Sequence, residues 1–217
     1  MDKNKENKFV EEVLNWTLSG LSFYYRDCDI GNELLSKYYV GQIIRSQIFV
    51  DVSSFACKLM KNCRFIIASN KAAPLYQYSP NTEKWQLHVI NFNSYFKVLD
   101  IYEKQNKTQI FLLHIPAKGV GLFNNKNRFI VDGVNIEEQC IEKARMSFDK
   151  KMEMQHSFEL EEEEWIERTQ YPIGLDDANN FAPLIPIQNF SEANPNAISL
   201  HNIIFKITGD NELNKIG

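Results

Sequence analysis

The densest group of ionisable side chains in this sequence is an acidic run, in which six of the nine residues from 159 to 167 are glutamates. Clustered carboxylates are what hard metal ions and general acid–base catalysis require. If the run forms a helix with Ser157 as its N-cap, however, its four adjacent glutamates point in four directions and cannot converge on one ion. We therefore expect a solvated helix face, with Phe158, Trp165 and Thr169 together on another side.

The remaining metal-ligand spacings are incomplete. Glu153 and His156 have the Glu-x-x-His spacing of di-iron bundles, but such a site needs a second copy, and no other histidine follows a glutamate at that distance. The four cysteines form no C-x-x-C pair, and the spacing of Cys57 and Cys63 matches no zinc framework. We therefore predict free thiols, no metal site and no cofactor.

Motifs for phosphate binding and hydrolysis are also absent from the sequence. It contains no G-x-x-x-x-G-K-[ST], G-x-G-x-x-G, G-x-S-x-G or H-E-x-x-H pattern. The formal net charge is −4, and no stripe of Lys and Arg or basic tail stands out. Because nucleic-acid binding depends on such basic surfaces, we predict that DNA and RNA are not partners.

Five polar residues in or beside apolar strand segments form the candidate binding site: Arg64, Lys71, Lys97, Asp100 and His114. A buried carboxylate such as Asp100 requires a partner, and the four basic side chains could line a cleft for a small anionic ligand. The alternative is that Lys97 and His114 lie in water at the end of the sheet, while Asp100 bonds a backbone donor or a tyrosine.

The strongest structural signal is a β-hairpin over residues 95–115. Two runs rich in β-branched and aromatic residues flank a short polar stretch, and Asn106 tolerates the left-handed conformation of a tight turn. A two-residue turn, Gln105-Asn106, predicts three facing pairs on one side: Leu99 with Leu112, Ile101 with Ile110, and Lys97 with His114. Both faces are largely apolar, so we expect the hairpin inside the sheet with cover on both sides.

The other segments predict an α+β fold with a largely antiparallel central sheet built around the 95–115 hairpin. Helices should come first and strands in the middle, without regular alternation. We predict one domain over residues 1–217, with a helical part at 1–62, a sheet core at 63–134, and a helix, the acidic segment and a closing strand at 135–217. The individual predictions are helices at 5–19, 30–49 and 135–152, and strands at 63–69, 85–92, 128–133 and 200–208.

These observations leave two functions open. Residues 1–8 are polar and no apolar run is long enough to cross a membrane, so we expect a cytoplasmic protein. The lack of catalytic motifs and the aromatic residues in polar contexts favour a non-enzymatic interaction or assembly protein, as a homodimer or with a protein partner. The alternative is a domain or enzyme that binds a small anionic ligand, such as a nucleotide or phosphometabolite, beside the hairpin.

Overall fold

A mixed sheet forms the centre of the protein. The computed structural model describes residues 3–124, 130–131, 134–185 and 195–210. Eight strands follow the spatial order β2-β7-β8-β4-β1-β3-β6-β5, and every described pair is antiparallel except β4 with β8. The strands are β1 (Ser22–Cys28), β2 (Ile43–Arg45), β3 (Val50–Ser53), β4 (Cys63–Ser69), β5 (Ala72–Ala73), β6 (Leu87–Ile90), β7 (Tyr95–Lys104) and β8 (Lys107–Ile115), with a separate pair of β9 (Ile130–Val131) and β10 (Val134–Asn135). The predicted α+β class with a largely antiparallel sheet is confirmed.

Helices cover the two faces and the edge of this sheet. The α-helices are α1 (Lys3–Leu18), α2 (Asn32–Leu35), α3 (Val120–Asn124), α4 (Ile136–Met152), α5 (Glu163–Thr169) and α6 (Pro195–Thr208). Short 3₁₀ helices lie at Leu75–Gln77, Pro80–Trp85, Ala117–Gly119 and Glu159–Glu161. None of the helices in the described ranges combines the length and apolar character that crossing a membrane requires.

The predicted hairpin is confirmed, and a β-bulge alters its register. Gln105 and Asn106 form the two-residue turn with φ of 53° and 59°, so both are left-handed, as in a type I′ turn. Ile101 faces Ile110 as predicted, but the register shifts by one residue between Val98 and Asp100. A bulge inserts one unpaired residue in one strand. Leu99 therefore has no partner on β8, and Val98–Leu112 and Lys97–Leu113 replace the predicted Leu99–Leu112 and Lys97–His114 pairs.

Both faces of the hairpin are covered, because each face of the sheet has its own apolar core. One core contains Phe65, Ile67, Val98 and Leu112, and Tyr38 and Ile173 pack on it from the connecting segments. The opposite core contains Ile66, Phe111 and Leu113, covered by Val13 and Trp16 of α1 and Ala144 of α4. Residues that alternate along one strand thus enter different cores, and this explains the near-continuous apolar run of β8.

The helix predicted at 30–49 is wrong. Residues 30–49 form only the short helix α2, and Ile43–Arg45 pairs with β7 as strand β2. Gly41, at φ 89°, lies between these two elements in a conformation that suits glycine and ends any helix. The region 1–62 therefore contributes three strands, β1, β2 and β3, to the sheet, where the sequence predicts helices only.

The predicted closing strand at 200–208 is instead part of helix α6. Leu200, Ile204 and Ile207 have i, i+4, i+7 spacing, and they pack with Trp85 and Val89 in a third apolar cluster. Short apolar runs fit both a strand and a helix, and here the contact with the sheet edge selects the helix. Of the predicted 128–133 strand, Ile130–Val131 is β9, and residues 128–129 and 132–133 lie outside the described residues.

The acidic run is solvated as predicted, but it is not one helix. Glu162 is extended, with φ −62° and ψ 143°, and separates the 3₁₀ turn Glu159–Glu161 from α5. Trp165 and Thr169 are buried on the same side, whereas Phe158 is 74% exposed, because the break at Glu162 turns it away from them. Within the described part of the chain, no group of His, Cys, Asp and Glu side chains is arranged to hold a metal ion.

Candidate functional site

The five residues of the predicted site do not meet in one cleft. Lys97 and Asp100 lie on β7 under α4, Arg64 is on β4, and Lys71 and His114 lie near α1. The bulge in β7 is one cause of this separation. Because His114 pairs with Phe96, and Lys97 pairs with Leu113, Lys97 and His114 do not face each other across the hairpin as predicted.

Lys97 and Asp100 hold helix α4 on the hairpin. Lys97 Nζ lies 2.7 Å from Glu137 Oε1. Arg145 donates two hydrogen bonds to the carboxylate of Asp100, at 2.7 and 2.6 Å. A third ion pair, between Lys104 and Asp149 at 2.9 Å, lies further along the same strand. These contacts position helix α4. Lys97 and Asp100, which the sequence predicts as ligand-binding residues, thus both have partners inside the protein.

Arg64 is also paired internally. Its side chain is fully buried and donates to both carboxylate oxygens of Asp27, at 2.7 and 2.6 Å, and to the carbonyl of Cys57 at 2.9 Å. Asp27 faces Arg64 directly across the β1–β4 ladder. Burial is the largest single influence on the pKa of Arg64 and lowers it. The charge of Asp27 and the hydrogen bonds to it act in the opposite direction, and the pKa is raised overall. Arg64 therefore keeps its charge in the interior.

Lys71 and His114 lie beside the C-terminal end of α1. His114 Nδ1 shares a hydrogen bond of 2.8 Å with Ser69 Oγ, and its ring contacts that of Trp16 with centroids 5.1 Å apart. Burial, together with the charge of Lys71, lowers the pKa of His114 to about 3, so the imidazole is neutral. Lys71 Nζ donates to the carbonyl of Thr208 at 3.1 Å.

A cavity of about 480 Å³ adjoins Lys71, and its charges are mixed. Glu12 and Lys71 both line it, with Asn15, Trp16 and Asn70 among its other residues. The amide of Asn70 donates to the carbonyls of Trp16 and Ser19 at the end of α1. A carboxylate in the lining repels an anion, so this cavity fits the predicted anionic ligand poorly.

A second cavity, which we call the lysine groove, has the charge that the predicted ligand requires. It has a volume of about 510 Å³ and lies between α4 and strand β1. Its lining contains three lysines and no carboxylate, and two methionines and two hydroxyl groups complete it: Tyr25, Lys143, Met146, Ser147, Lys150, Lys151 and Met154. None of these residues belongs to the five that the sequence predicts as the binding site.

Helical spacing explains why these lysines share one surface. Lys143, Ser147, Lys150 and Lys151 follow each other at intervals of four, three and one residues, which keeps them on one side of helix α4. Met154 lies two residues after the last residue of this helix. The buried side of α4 carries Ala144, Phe148 and Met152 instead. The sequence therefore contains a signal for a row of lysines on one side of α4. It does not show a groove, because the groove exists only where strand β1 lies beside this helix.

Tyr25 forms the floor of the lysine groove. Its hydroxyl group lies 3.2 Å from Ser147 Oγ, so the strand and the helix are joined by a hydrogen bond at this point. Its ring is 4.7 Å from Lys151 Nζ and 5.8 Å from Arg64 Cζ, distances typical of cation–π contacts. Burial is the main cause that lowers the pKa of Lys151, and the positive charge of Arg64 is the next.

Comparisons with known proteins give matches among solved structures alone. No protein-family model and no curated protein sequence matches the chain. The type III effector XopAI from Xanthomonas axonopodis pv. citri matches with a TM-score of 0.39 and 14% identity, over 46% of each chain. HopU1, an ADP-ribosyltransferase of Pseudomonas syringae pv. Tomato DC3000, matches with a TM-score of 0.39 and 14% identity, over 44% of this chain and 45% of that one. The Vis toxin, an ADP-ribosyltransferase from Vibrio splendidus, matches with a TM-score of 0.38 and 18% identity, over 62% and 66%.

These matches overturn the prediction of a non-enzymatic interaction or assembly protein, because HopU1 and Vis are enzymes. The chain spans less than half the length of the XopAI and HopU1 structures that it matches. With TM-scores below 0.5, the likeness assigns neither a reaction nor a ligand to this chain. A ligand must therefore be inferred from the residues of the lysine groove themselves.

Proposed function

We propose that this protein binds a small anionic ligand, a nucleotide or another phosphorylated metabolite, in the lysine groove between α4 and β1. The observation that supports this most directly is the composition of the groove, whose lining holds Lys143, Lys150 and Lys151 without a carboxylate. Ammonium groups bind phosphate as point charges with three donors each. The volume of about 510 Å³ lies within the range of small-molecule sites.

Two acidic side chains of α4 are paired on its hairpin side, and the lysines that line the groove lie on another side of the helix. Glu137 and Asp149 are held by Lys97 and Lys104 on the hairpin side of the helix. Lys143 and Lys150 are exposed on the groove side. The ion pairs with the hairpin thus neutralise acidic side chains that would otherwise weaken the positive potential next to the groove.

The apolar part of the lining favours a ligand that is more than inorganic phosphate. Met146 is 72% exposed and Met154 is 43% exposed, and both border the groove. Thioether side chains adapt to flat or irregular apolar surfaces and contact aromatic rings favourably. A nucleotide carries a phosphate group and a planar base on one small molecule, so it uses both parts of the lining.

Thermal-shift and calorimetric titrations test this function. Pyrophosphate, ATP and NAD serve as anionic probes, and agmatine, which is bound in one of the Vis structures, serves as a cationic one. We expect stabilisation by the anions alone, on the order of 2.7 kcal/mol at a hundredfold excess over Kd. The affinity should fall as salt concentration rises, because the contacts are largely electrostatic.

A pair of matched variants locates the site. Lys143→Gln with Lys150→Gln should weaken binding at least tenfold, since each lost charge-assisted contact contributes about 1 kcal/mol or more. Lys5→Gln with Lys8→Gln removes the same charge from α1, where both lysines are exposed, and should leave Kd within a factor of two. Equal weakening by the two double variants, or no anion-dependent stabilisation of the unmodified protein, would refute the proposal.

The predicted homo-oligomer and the cytoplasmic location remain predictions. Size exclusion with light scattering measures the first directly, as the mass of the particle in solution.

A further inference from the structure

The three lysines of the groove differ in their surroundings. Lys143 and Lys150 are exposed, whereas Lys151 is half-buried on the side nearest the sheet. Lys151 Nζ donates to the carbonyl of Ala56 at 3.0 Å and lies 4.7 Å from the Tyr25 ring centroid. Its amine is therefore fixed at the base of the groove, and the amines of the other two are free to move in water.

The charges facing Lys151 disfavour its ammonium form. From β4, the buried guanidinium of Arg64 lies against the same Tyr25 ring, at 5.8 Å. From α4 itself, the adjacent Lys150 adds a second positive charge. The carboxylate of Asp27 on β1 also faces this region, but both of its oxygens accept hydrogen bonds from Arg64. The Cys57 thiol beside Arg64 raises the pKa of Lys151, but this effect is smaller than the lowering caused by Arg64.

Lys151 differs from the lysines that are held by ion pairs. Lys61, Lys84, Lys97 and Lys104 each pair with a carboxylate, whereas Lys151, like Lys71, donates to a backbone carbonyl. Within the described part of the chain, the hydrogen-bond acceptor of Lys151 is a neutral backbone carbonyl. Burial and the charge of Arg64 consequently lower its pKa, and a larger fraction of this amine is neutral at neutral pH.

We propose that Lys151 is a reactive amine, which forms an imine with small carbonyl compounds that enter the lysine groove. The neutral amine is the nucleophile in such a reaction, as with lysines that form Schiff bases beside another cation. The nitrogen lone pair of Lys151 attacks the carbonyl carbon and forms a carbinolamine. Loss of the hydroxyl group as water, with two amine protons transferred, gives the C=N bond, so an aldehyde and an amine yield an imine and one water.

The proposal adds a chemical class to the proposed function. In a carbonyl compound with a phosphate group, the phosphate binds Lys143 and Lys150 and the carbonyl carbon lies near Lys151. This placement rests on the anion site proposed above. A neutral carbonyl compound depends on the amine of Lys151 alone. The two classes of probe therefore separate the reactive amine from the anion site.

Borohydride trapping with peptide mass spectrometry tests the reactivity. The folded protein is treated at pH 7.5 with pyridoxal and, separately, with pyridoxal 5′-phosphate, and borohydride then reduces the imine to a stable secondary amine. With pyridoxal we expect Lys151 to be labelled faster than Lys143 or Lys150, because burial and the charge of Arg64 lower the pKa of the Lys151 amine and its Nζ is held at the base of the groove. Lys151→Arg should abolish this label, and Lys8→Arg, at an exposed position of α1 outside the groove, should preserve it.

Two outcomes overturn the reactive amine. One is labelling of Lys143 or Lys150 by pyridoxal as fast as that of Lys151, and the other is absence of label on Lys151 in the folded protein. The phosphate group reports on the proposed function separately. If pyridoxal labels Lys151 selectively and pyridoxal 5′-phosphate labels it no faster, the reactive amine is supported and the anion site is refuted.

Discussion

The ion pair between Asp100 and Arg145 gives the sharpest test of how α4 is held on the hairpin. The side chain of Asp100 is 8% exposed and that of Arg145 is 46% exposed. Removal of the arginine leaves a buried carboxylate without its partner, and such a loss costs about 3 kcal/mol or more in stability. Removal of the carboxylate charge leaves an arginine that water can solvate, so we expect a cost of about 1 kcal/mol.

The substitutions follow from this asymmetry. Arg145→Met keeps most of the side-chain stem, and Asp100→Asn keeps the shape of the acid. We expect Arg145→Met to be the more destabilising by about 2 kcal/mol. The double variant should be more stable than Arg145→Met alone, because Asp100→Asn removes the unpaired charge from the interior.

Urea unfolding followed by tryptophan fluorescence measures these differences. Trp16, Trp85 and Trp165 are 4%, 0% and 3% exposed, so unfolding moves all three into water. With a slope between 1 and 3 kcal/mol per molar urea, a loss of about 3 kcal/mol lowers the midpoint by roughly 1 M or more. Lys8→Met, in the exposed Lys8–Glu12 pair, is the control and should cost less than about 0.5 kcal/mol.

The result that would refute this reasoning is specific. If Asp100→Asn costs as much as Arg145→Met, the buried charge is not what makes the pair asymmetric. If the double variant is less stable than Arg145→Met, the carboxylate of Asp100 is stabilised by another group. Either result would refute the unpaired buried carboxylate as the cause of the difference between the two single variants.

Two further predictions concern single residues. The fold depresses the pKa of His114 from its ordinary 6.5 to about 3, so its contribution to stability is present above pH 6.5 and is lost as the pH falls towards 3, by up to about 1.4 kcal/mol per unit. His114→Asn should therefore flatten the decrease in urea midpoint between pH 7 and 5, and an unchanged decrease would contradict the neutral imidazole. Gly174 has φ 90°, and an added Cβ would lie 3.1 Å from Ile44, so Gly174→Ala should lower the free energy of unfolding by at least about 1 kcal/mol. Gly209→Ala, at φ 56° with no atom within 4 Å, should lower it less in the same urea titration, and the reverse order would show that the contact with Ile44 is not limiting.

The sequence by itself determined the elements whose signals are local. The hairpin follows from two apolar runs and a turn whose residues, Gln105 and Asn106, tolerate the left-handed region. Helix α4 follows from its apolar spacing and from Asn135, whose side chain accepts from the backbone N–H groups of Glu137 and Glu138. The α+β class follows from the succession of these elements, because no long-range contact is needed to recognise them.

Elements with equal local preferences were decided by the tertiary structure. The apolar residues of 30–49 fit a helix, yet Ile43 and Ile44 pair with Lys97 and Phe96 on β7. Ile204 fits a strand, yet it is buried as part of a helix against the sheet edge. In both cases the free energy of burying apolar surface against a distant partner exceeds the small difference in local propensity.

The candidate site depended still more on the tertiary structure. Arg64, Lys97 and Asp100 have the residue types of a ligand site, and the fold gives each of them a partner of opposite charge. A sequence shows which side chains carry charge, but the pairing of charges depends on distances between elements remote in the chain. Lys151 illustrates the converse, because burial beside Arg64, and not its residue type, distinguishes it from its exposed neighbours on α4.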